Sequence, residues 1–376
     1  MPPGDGDSNH RPVVTPRTTC ESCSAMGREA AIHVYLVARG ISAESNRGRR
    51  TKPGGDGKYL PAFDTPFFGC YRQFFLPMLE FLEFLPVGCL LGLLRVLPRR
   101  AARRVGMAIG LGFFHFYPRL RRVGLHNLEL AFPEMTGRER LGILRGVFLS
   151  LGRLLAEFPK FPCYSRENVS EIAVYDGFEN FAAAREQNKG VLFLTAHLGG
   201  WEVGAFVHSI HGNPLQVVVR DLDNRHLNRL VRRYRTLHGN GSIDKNVFAR
   251  GLLSALRRGD TVGILMDTNM TPPQGVFVDF FGHLACTAVG IARVASRTGA
   301  PVVPVFTIWD SSLDKYRIRF EPALETIRTG DDEADAIANT AMYTKVIESF
   351  VRRYPDQWLW VHRRWKTRPP GEAPLY

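Results

Sequence analysis

The stretch Gly190-Val191-Leu192-Phe193-Leu194-Thr195-Ala196-His197-Leu198-Gly199-Gly200-Trp201-Glu202 decides how the chain is read. An apolar run of strand length ends on His197. Two glycines follow, and Glu202 stands five positions after the histidine, at the head of a helix-like segment running from Val203 to Ile210. In open α/β sheets, ligands and catalytic groups sit outside the carboxyl ends of strands. The stretch therefore predicts His197 as a general base, with Glu202 orienting and polarising its ring.

Outward from this point, strand and helix patterns alternate. Strands are expected over 190–196, 215–220, 261–266, 302–309 and 315–320, and helices over 201–211, 224–237, 246–258, 288–298 and 333–354. That alternation predicts an α/β fold with a mixed, mostly parallel central sheet flanked by helices. Upstream, Thr136 followed by Arg140 and Leu141 reads as the start of a helix reaching about Phe158.

Before this body, residues 67–97 are rich in Phe and Leu. The charge-free run from Phe84 to Leu94 follows Glu80 and Glu83. It is shorter than the ~20 apolar residues a spanning helix needs. Arg99, Arg100, Arg103 and Arg104 come next, then a second apolar run from Val105 to Tyr117, then Arg119, Arg121 and Arg122. Apolar helices bordered by arginines predict a membrane-associating region lying in an anionic interface. A buried helical pair with solvated arginine ends is the plain alternative. Residues 1–61, rich in Pro, Gly, Ser and charge, read as a tail, and the expected division is 1–61, 62–123, 124–369 and a short tail 370–376.

Lysine and arginine exceed aspartate and glutamate by 49 − 36 = 13, which points to an anionic partner. Cys20 and Cys23 are the one close pair among six cysteines, with no second pair to complete a zinc ribbon, so reduced thiols are expected. His208 and His211 have a spacing a metal could use, but no acidic or cysteine partner stands at a zinc-motif distance, and no metal is expected. The signatures of nucleic-acid binding are missing too.

Further candidates stand at or near the ends of later strands. Arg220, followed by Asp221 and by Asn224, can fork onto phosphate. Asp267 closes another strand, and the run from Gly275 through Phe277 to Gly282 reads as a greasy wall for an acyl chain or as an ordinary core strand. Near the end, Trp358-Leu359-Trp360-Val361-His362-Arg363-Arg364-Trp365-Lys366 interleaves aromatics with base, which fits a lip beside a phosphorylated headgroup or an acidic carrier.

Taken together, His197-x4-Glu202, Arg220 with Asn224, Asp267 with the Gly275–Gly282 run, Pro301-Val302-Val303-Pro304 and the His362-Arg363-Arg364-Trp365-Lys366-Thr367-Arg368-Pro369 terminus resemble the bacterial lipid A late acyltransferases. Asn127-Leu128 with Phe132-Pro133-Glu134 looks like the upstream part of that pattern, which extends over about Phe67 to Pro369. The resemblance implies a membrane enzyme at the cytoplasmic face of the inner membrane. It would move an acyl group from acyl carrier protein to a hydroxyl on a phosphorylated glycolipid, with no cofactor. His197 and Glu202 would be the catalytic pair. Arg220, Asn224, Asp267, Gly275, Phe277, Arg363 and Arg364 would bind substrate, Asp267 by holding Arg220 or the acceptor. Backbone amides near Gly199 and Gly200 would receive the oxyanion. Two departures stand out: Thr268-Asn269 where a second acid is frequent, and Trp365 where phenylalanine is common. An acyltransferase for another glycolipid or aminolipid, such as a phosphatidylinositol mannoside, and a membrane scaffold with a degenerate dyad remain as alternatives.

Overall fold

The computed structural model describes residues 66–219, 221–244 and 248–376, with side chains from Met78 onward. Cys20, Cys23, Arg220 and the whole of the expected tail over 1–61 lie outside the described residues.

Four helices lead: α1 (Pro66–Val96), α2 (Arg99–Phe116), α3 (Pro118–Ala131) and α4 (Gly137–Glu157). Thr136 starts α4 through a reciprocal cap. Its Oγ1 accepts the Glu139 N–H at 3.3 Å, while Glu139 Oε2 accepts the Thr136 N–H at 2.7 Å. Then come β1 (Ala173–Asp176), α5 (Phe178–Glu186), β2 (Val191–Thr195), α6 (Trp201–Ile210), β3 (Leu215–Val219), α7 (Arg225–Arg235), β4 (Gly241–Asp244), α8 (Phe248–Arg257), β5 (Thr261–Leu265), β6 (Gly275–Phe280), β7 (His283–Ala288), α9 (Gly290–Thr298), β8 (Val302–Asp310), β9 (Lys315–Phe320) and α10 (Asp332–Arg353).

Seven strands form one sheet in the order β1-β9-β8-β2-β5-β3-β4, and β6 pairs with β7 in a separate hairpin. All neighbours in the main sheet are parallel except β8 and β9. The sheet is thus mostly parallel and flanked by helices, as the alternation implies. Val191, Leu192, Phe193 and Leu194 are all buried, which accounts for the unbroken apolar run of β2: a central parallel strand is covered on both faces. Leu192 and Leu194 point to a core shared with α8, α9 and α10. Val191 and Phe193 point to a second core under α5, α6 and α7.

No helix among the described residues is long and apolar enough to cross a membrane. α1 nevertheless presents Met78, Leu79, Phe81, Leu82 and Leu85 to solvent. The arginine cluster after it divides. Arg99 turns inward to Glu157, and Arg103 to Asp314, whereas Arg100 and Arg104 stay exposed.

Candidate active site

The register of the two central strands builds the site. β2 and β5 run parallel with Thr195 beside Leu265, so the residues two positions beyond each strand, His197 and Asp267, come together at the same edge. His197 Nδ1 lies 2.9 Å from Asp267 Oδ1, and the His197 backbone N–H donates to Oδ2 at 2.9 Å. The Trp358 indole N–H donates to Oδ2 as well, at 2.8 Å. His197 and Asp267 are 2% and 3% exposed. Burial alone pushes the Asp267 carboxyl up. The His197 ring and N–H and the Trp358 N–H outweigh it and hold the group down, to about 2. Asp267 is therefore an anion at neutral pH, and it favours an Nδ1–H tautomer that leaves Nε2 as the basic nitrogen.

The turn after His197 is tightly determined. Gly199 has φ +60°, and a Cβ there would stand 2.1 Å from the Thr307 carbonyl oxygen. The Gly199 N–H donates to the Gln357 carbonyl at 2.9 Å and the Gly200 N–H to the Thr307 carbonyl at 2.8 Å. Both amides are thus engaged in holding the turn against β8, which corrects the expectation that they receive an oxyanion.

Glu202 lies in the first turn of α6 and is paired with Arg235 at the end of α7. The Arg235 Nε donates to Glu202 Oε2 at 3.0 Å, and Nη2 donates to Oε1. Burial lowers the Arg235 pKa, but the Glu202 charge and hydrogen bond outweigh it and raise it, so the guanidinium stays charged. The carboxylate on the His197 ring is thus Asp267, where the sequence reading put Glu202. Asp267 had been expected to hold Arg220 or the acceptor. Five-residue spacing places Glu202 on the helix after the turn, whereas strand register places Asp267 against the ring.

The aromatic, basic terminus is likewise reassigned by geometry. Leu198 forms an isolated bridge with Trp358, and the Leu359 N–H donates to the His197 carbonyl at 3.2 Å. The Asn269 N–H donates to His362 Nε2 at 2.9 Å. Arg364 is 1% exposed, donates to the Cys286 carbonyl at 3.0 Å, and lies over the Phe280 ring. Burial lowers its pKa to about 10, so it remains a cation. Arg364 is therefore an internal brace, in contrast to the expected headgroup lip. Arg363 packs over the Tyr376 ring. Asn127 is buried and donates to the carbonyls of Trp360 and His362 at 2.6 Å each, which fixes the same segment from α3.

Asn224 is the N-cap of α7, accepting the His226 and Leu227 N–H groups at 3.0 and 3.1 Å. Its own amide donates to the Glu80 carbonyl of α1 at 2.7 Å. Gly275 and Phe277 lie on the β6–β7 hairpin, paired with Ala288 and Cys286, outside the main sheet. The greasy run around them packs as core: Phe280 stands 5.5 Å from the Trp358 ring and 5.7 Å from Trp365. Beside the site, on the face covered by α6, a cavity of about 100 Å³ opens between Trp201, Glu202, Arg235 and the sheet.

Residues 73–367 match the family described as bacterial lipid A biosynthesis acyltransferase. The chain belongs to that family. It is 29% identical over 273 residues to the lipid A biosynthesis palmitoleoyltransferase of Escherichia coli (strain K12), covering 72% of this chain and 87% of that protein. It is 29% identical over 281 residues to the lauroyltransferase of the same organism (74% and 90%), and 27% identical over 258 residues to its myristoyltransferase (68% and 78%).

In this lipid A acyltransferase, sequence reasoning missed Arg235 and the role of Trp358. Arg235 is one of five arginines in α7 (Arg225, Arg229, Arg232, Arg233, Arg235), and nothing local separates it from the others. Trp358 was visible only as a member of an aromatic run. Its hydrogen bond to Asp267 spans 91 positions.

Proposed function

We propose that this acyltransferase moves a fatty acyl group from acyl carrier protein to a hydroxyl on a phosphorylated glycolipid precursor of lipid A. The observation that carries this reading is the buried His197–Asp267 pair, 2.9 Å apart, at the carboxyl edge of the sheet. Nε2 of His197 takes the acceptor's hydroxyl proton as the oxygen attacks the thioester carbonyl. Asp267 stabilises the imidazolium that forms. The tetrahedral adduct then collapses, the carbon–sulfur bond breaks, and the imidazolium returns its proton to the leaving carrier thiolate. The step needs no metal or cofactor. Arg235, held by Glu202 at the edge of the site, supplies positive charge there.

The reading extends to place. The exposed apolar face of α1 and the exposed Arg100, Arg104, Arg119 and Arg122 suit an anionic membrane surface, which we assign to the cytoplasmic face of the inner membrane, where a carrier protein has access. The surplus of 13 positive charges suits both that surface and an acidic carrier. Coenzyme A is smaller and gains less from an extended basic surface.

The test is turnover by the purified protein. Acyl carrier protein and coenzyme A thioesters of equal chain length are offered with a phosphorylated glycolipid precursor of lipid A, and products are read by mass spectrometry at two ionic strengths. The expected result is acylated precursor, with the carrier donor preferred and the preference falling as salt rises. No product with either donor, from folded protein in lipid, would sink the reading. Equal kcat/KM for the two donors, unchanged by salt, would remove the carrier.

A further inference from the structure

Helix α7 carries a charged face that its packing does not use. It reads Arg-His-Leu-Asn-Arg-Leu-Val-Arg-Arg-Tyr-Arg, with five arginines and no acidic residue. Leu227, Val231 and Tyr234 are buried in the core under α5, α6 and α7, which turns the opposite side of the helix to solvent. Arg225, Arg229, Arg232 and Arg233 stand three or four positions apart on that side, and all four are exposed.

This face is short of counter-charge. Arg225 lies 3.3 Å from Glu80 and Arg232 lies 3.7 Å from Asp221, whereas Arg229 and Arg233 pair with no carboxylate among the described residues. Like charges three or four apart destabilise a helix, and a basic residue in the first turn opposes its dipole. An acidic partner laid along the face would offset both.

Both ends of α7 are tied to parts that matter for the reaction. At its start the Asn224 amide donates to the Glu80 carbonyl of α1 at 2.7 Å. At its end Arg235 pairs with Glu202, next in the chain to Trp201, whose ring stands 5.2 Å from the His197 ring. Eleven residues make a helix about 16 Å long, so a partner covering α7 reaches the neighbourhood of His197. The face suits a protein better than a bilayer. A helix that binds a membrane inserts its own apolar side and keeps its basic side at the headgroups. The apolar side of α7 is already buried in the protein, and the exposed Met78, Leu79, Phe81 and Leu82 belong to α1.

We propose that the exposed arginine face of α7 is the docking surface for the acidic acyl carrier protein, with Arg229 and Arg233 as its open contacts. The assignment rests on the acyl-transfer reading and places the donor on one helix. Charges on such a surface speed association and fix the orientation of the partner, here with the thioester delivered past Glu202 and Trp201 toward His197.

The experiment compares the wild type, Arg229→Glu/Arg233→Gln, and Arg250→Glu/Arg257→Gln, which removes the same charge from exposed positions of α8, on the other core of the sheet. The α7 variant should raise KM for acyl carrier protein donors about tenfold, with kcat kept, coenzyme A donors little affected and the salt dependence flattened. The α8 variant should behave as wild type. Arg229→Glu sets a carboxylate four residues after Arg225 and three before Arg232, so Tm should hold or rise while carrier binding falls, an outcome that damage to the fold would not give. An unchanged KM, or an equal loss with both donors or in both variants, would overturn the proposal. Binding of labelled carrier without an acyl group, read by fluorescence anisotropy, separates docking from the reaction. Tenfold weaker binding to the α7 variant would sustain the docking surface even if no carrier donor turned over, a result that would remove the acyl-transfer reading alone. No binding to folded wild type would overturn the docking surface. Co-sedimentation with anionic phospholipid vesicles reads the other occupant: an α7 variant that leaves the vesicles while its carrier binding is unchanged would assign the face to the membrane and overturn the proposal.

Discussion

Two histidines bracket α6. Each is 2% exposed, yet they are built for opposite tasks. His197, just before the helix, has the Asp267 carboxylate on Nδ1. His208, near its end, has a tyrosine hydroxyl on Nδ1 and no carboxylate, and burial, with His211 and Arg185 adding to it, presses its pKa down to about 3. Burial is common to both, so burial does not make a histidine a base. A buried anion on the far nitrogen does, because it stabilises the imidazolium that an apolar site would otherwise reject.

The largest break in the comparison is to make the His197 end resemble the His208 end. Asp267→Asn keeps the size of the side chain and removes its charge. The ring then loses the partner that stabilises its protonated form, and kcat should fall about 10²–10⁴-fold, close to His197→Ala. Both variants should remain folded and lipid-bound. Steady-state rates with saturating donor and acceptor decide it: an Asp267→Asn enzyme within a few-fold of wild type would show that the pair is structural.

A smaller loss is expected at Glu202, which acts through Arg235. Glu202→Gln leaves a largely buried guanidinium without its counter-charge, which lowers both stability and turnover, the latter by about tenfold. Removing Arg235 as well, as Arg235→Gln, should restore part of the lost stability. A double-mutant cycle by denaturant unfolding should return a coupling of about 1–3 kcal/mol. Additive losses would mean that the pair contributes nothing as a pair.

These effects also show what the sequence made legible. The strand–turn–helix around His197 could be read directly because a covered parallel strand is apolar throughout and its end is marked by two glycines. The edges of the sheet were less visible: β1 and β4 are four residues each and carry no strong alternation. The partner of His197 was misassigned because nearness along the chain favoured Glu202, while the β2–β5 register, which joins positions 70 apart, decided for Asp267. Arg363 and Arg364 illustrate a second limit. Adjacent arginines look alike in sequence, yet one packs on the half-buried ring of Tyr376 and the other is enclosed by backbone carbonyls.

Trp358→Phe sharpens the comparison without removing a charge. It keeps the aromatic bulk against Phe280 and Trp360 and deletes one donor to Asp267. Without this donor the carboxylate is held less firmly against the ring, and a misplaced group costs rate, so kcat should drop about tenfold, with KM little changed. Normal kinetics in a protein of lower Tm would assign Trp358 to packing alone.

The last effect concerns His208, and it is one of stability. Its folded pKa, about 3, lies below the ordinary value of 6.5. A lowered base binds its proton less readily in the folded protein than in the unfolded chain. The unfolded chain therefore takes up the proton first as pH falls, and stability drains away from about pH 6.5 downward until the folded group also titrates. At neutral pH both forms are unprotonated and the term vanishes. Between pH 6.5 and 4, the loss could reach about 3 kcal/mol as an upper figure. His208→Leu carries no such group, so its Tm should fall less steeply over that interval than the wild-type Tm. Asp267 titrates lower, between its ordinary value of 3.8 and about 2, and leaves the interval clear. Parallel Tm curves for wild type and His208→Leu across pH 6.5 to 4 would mean that His208 accepts a proton in the folded state, and the contrast between the two ends of α6 would disappear.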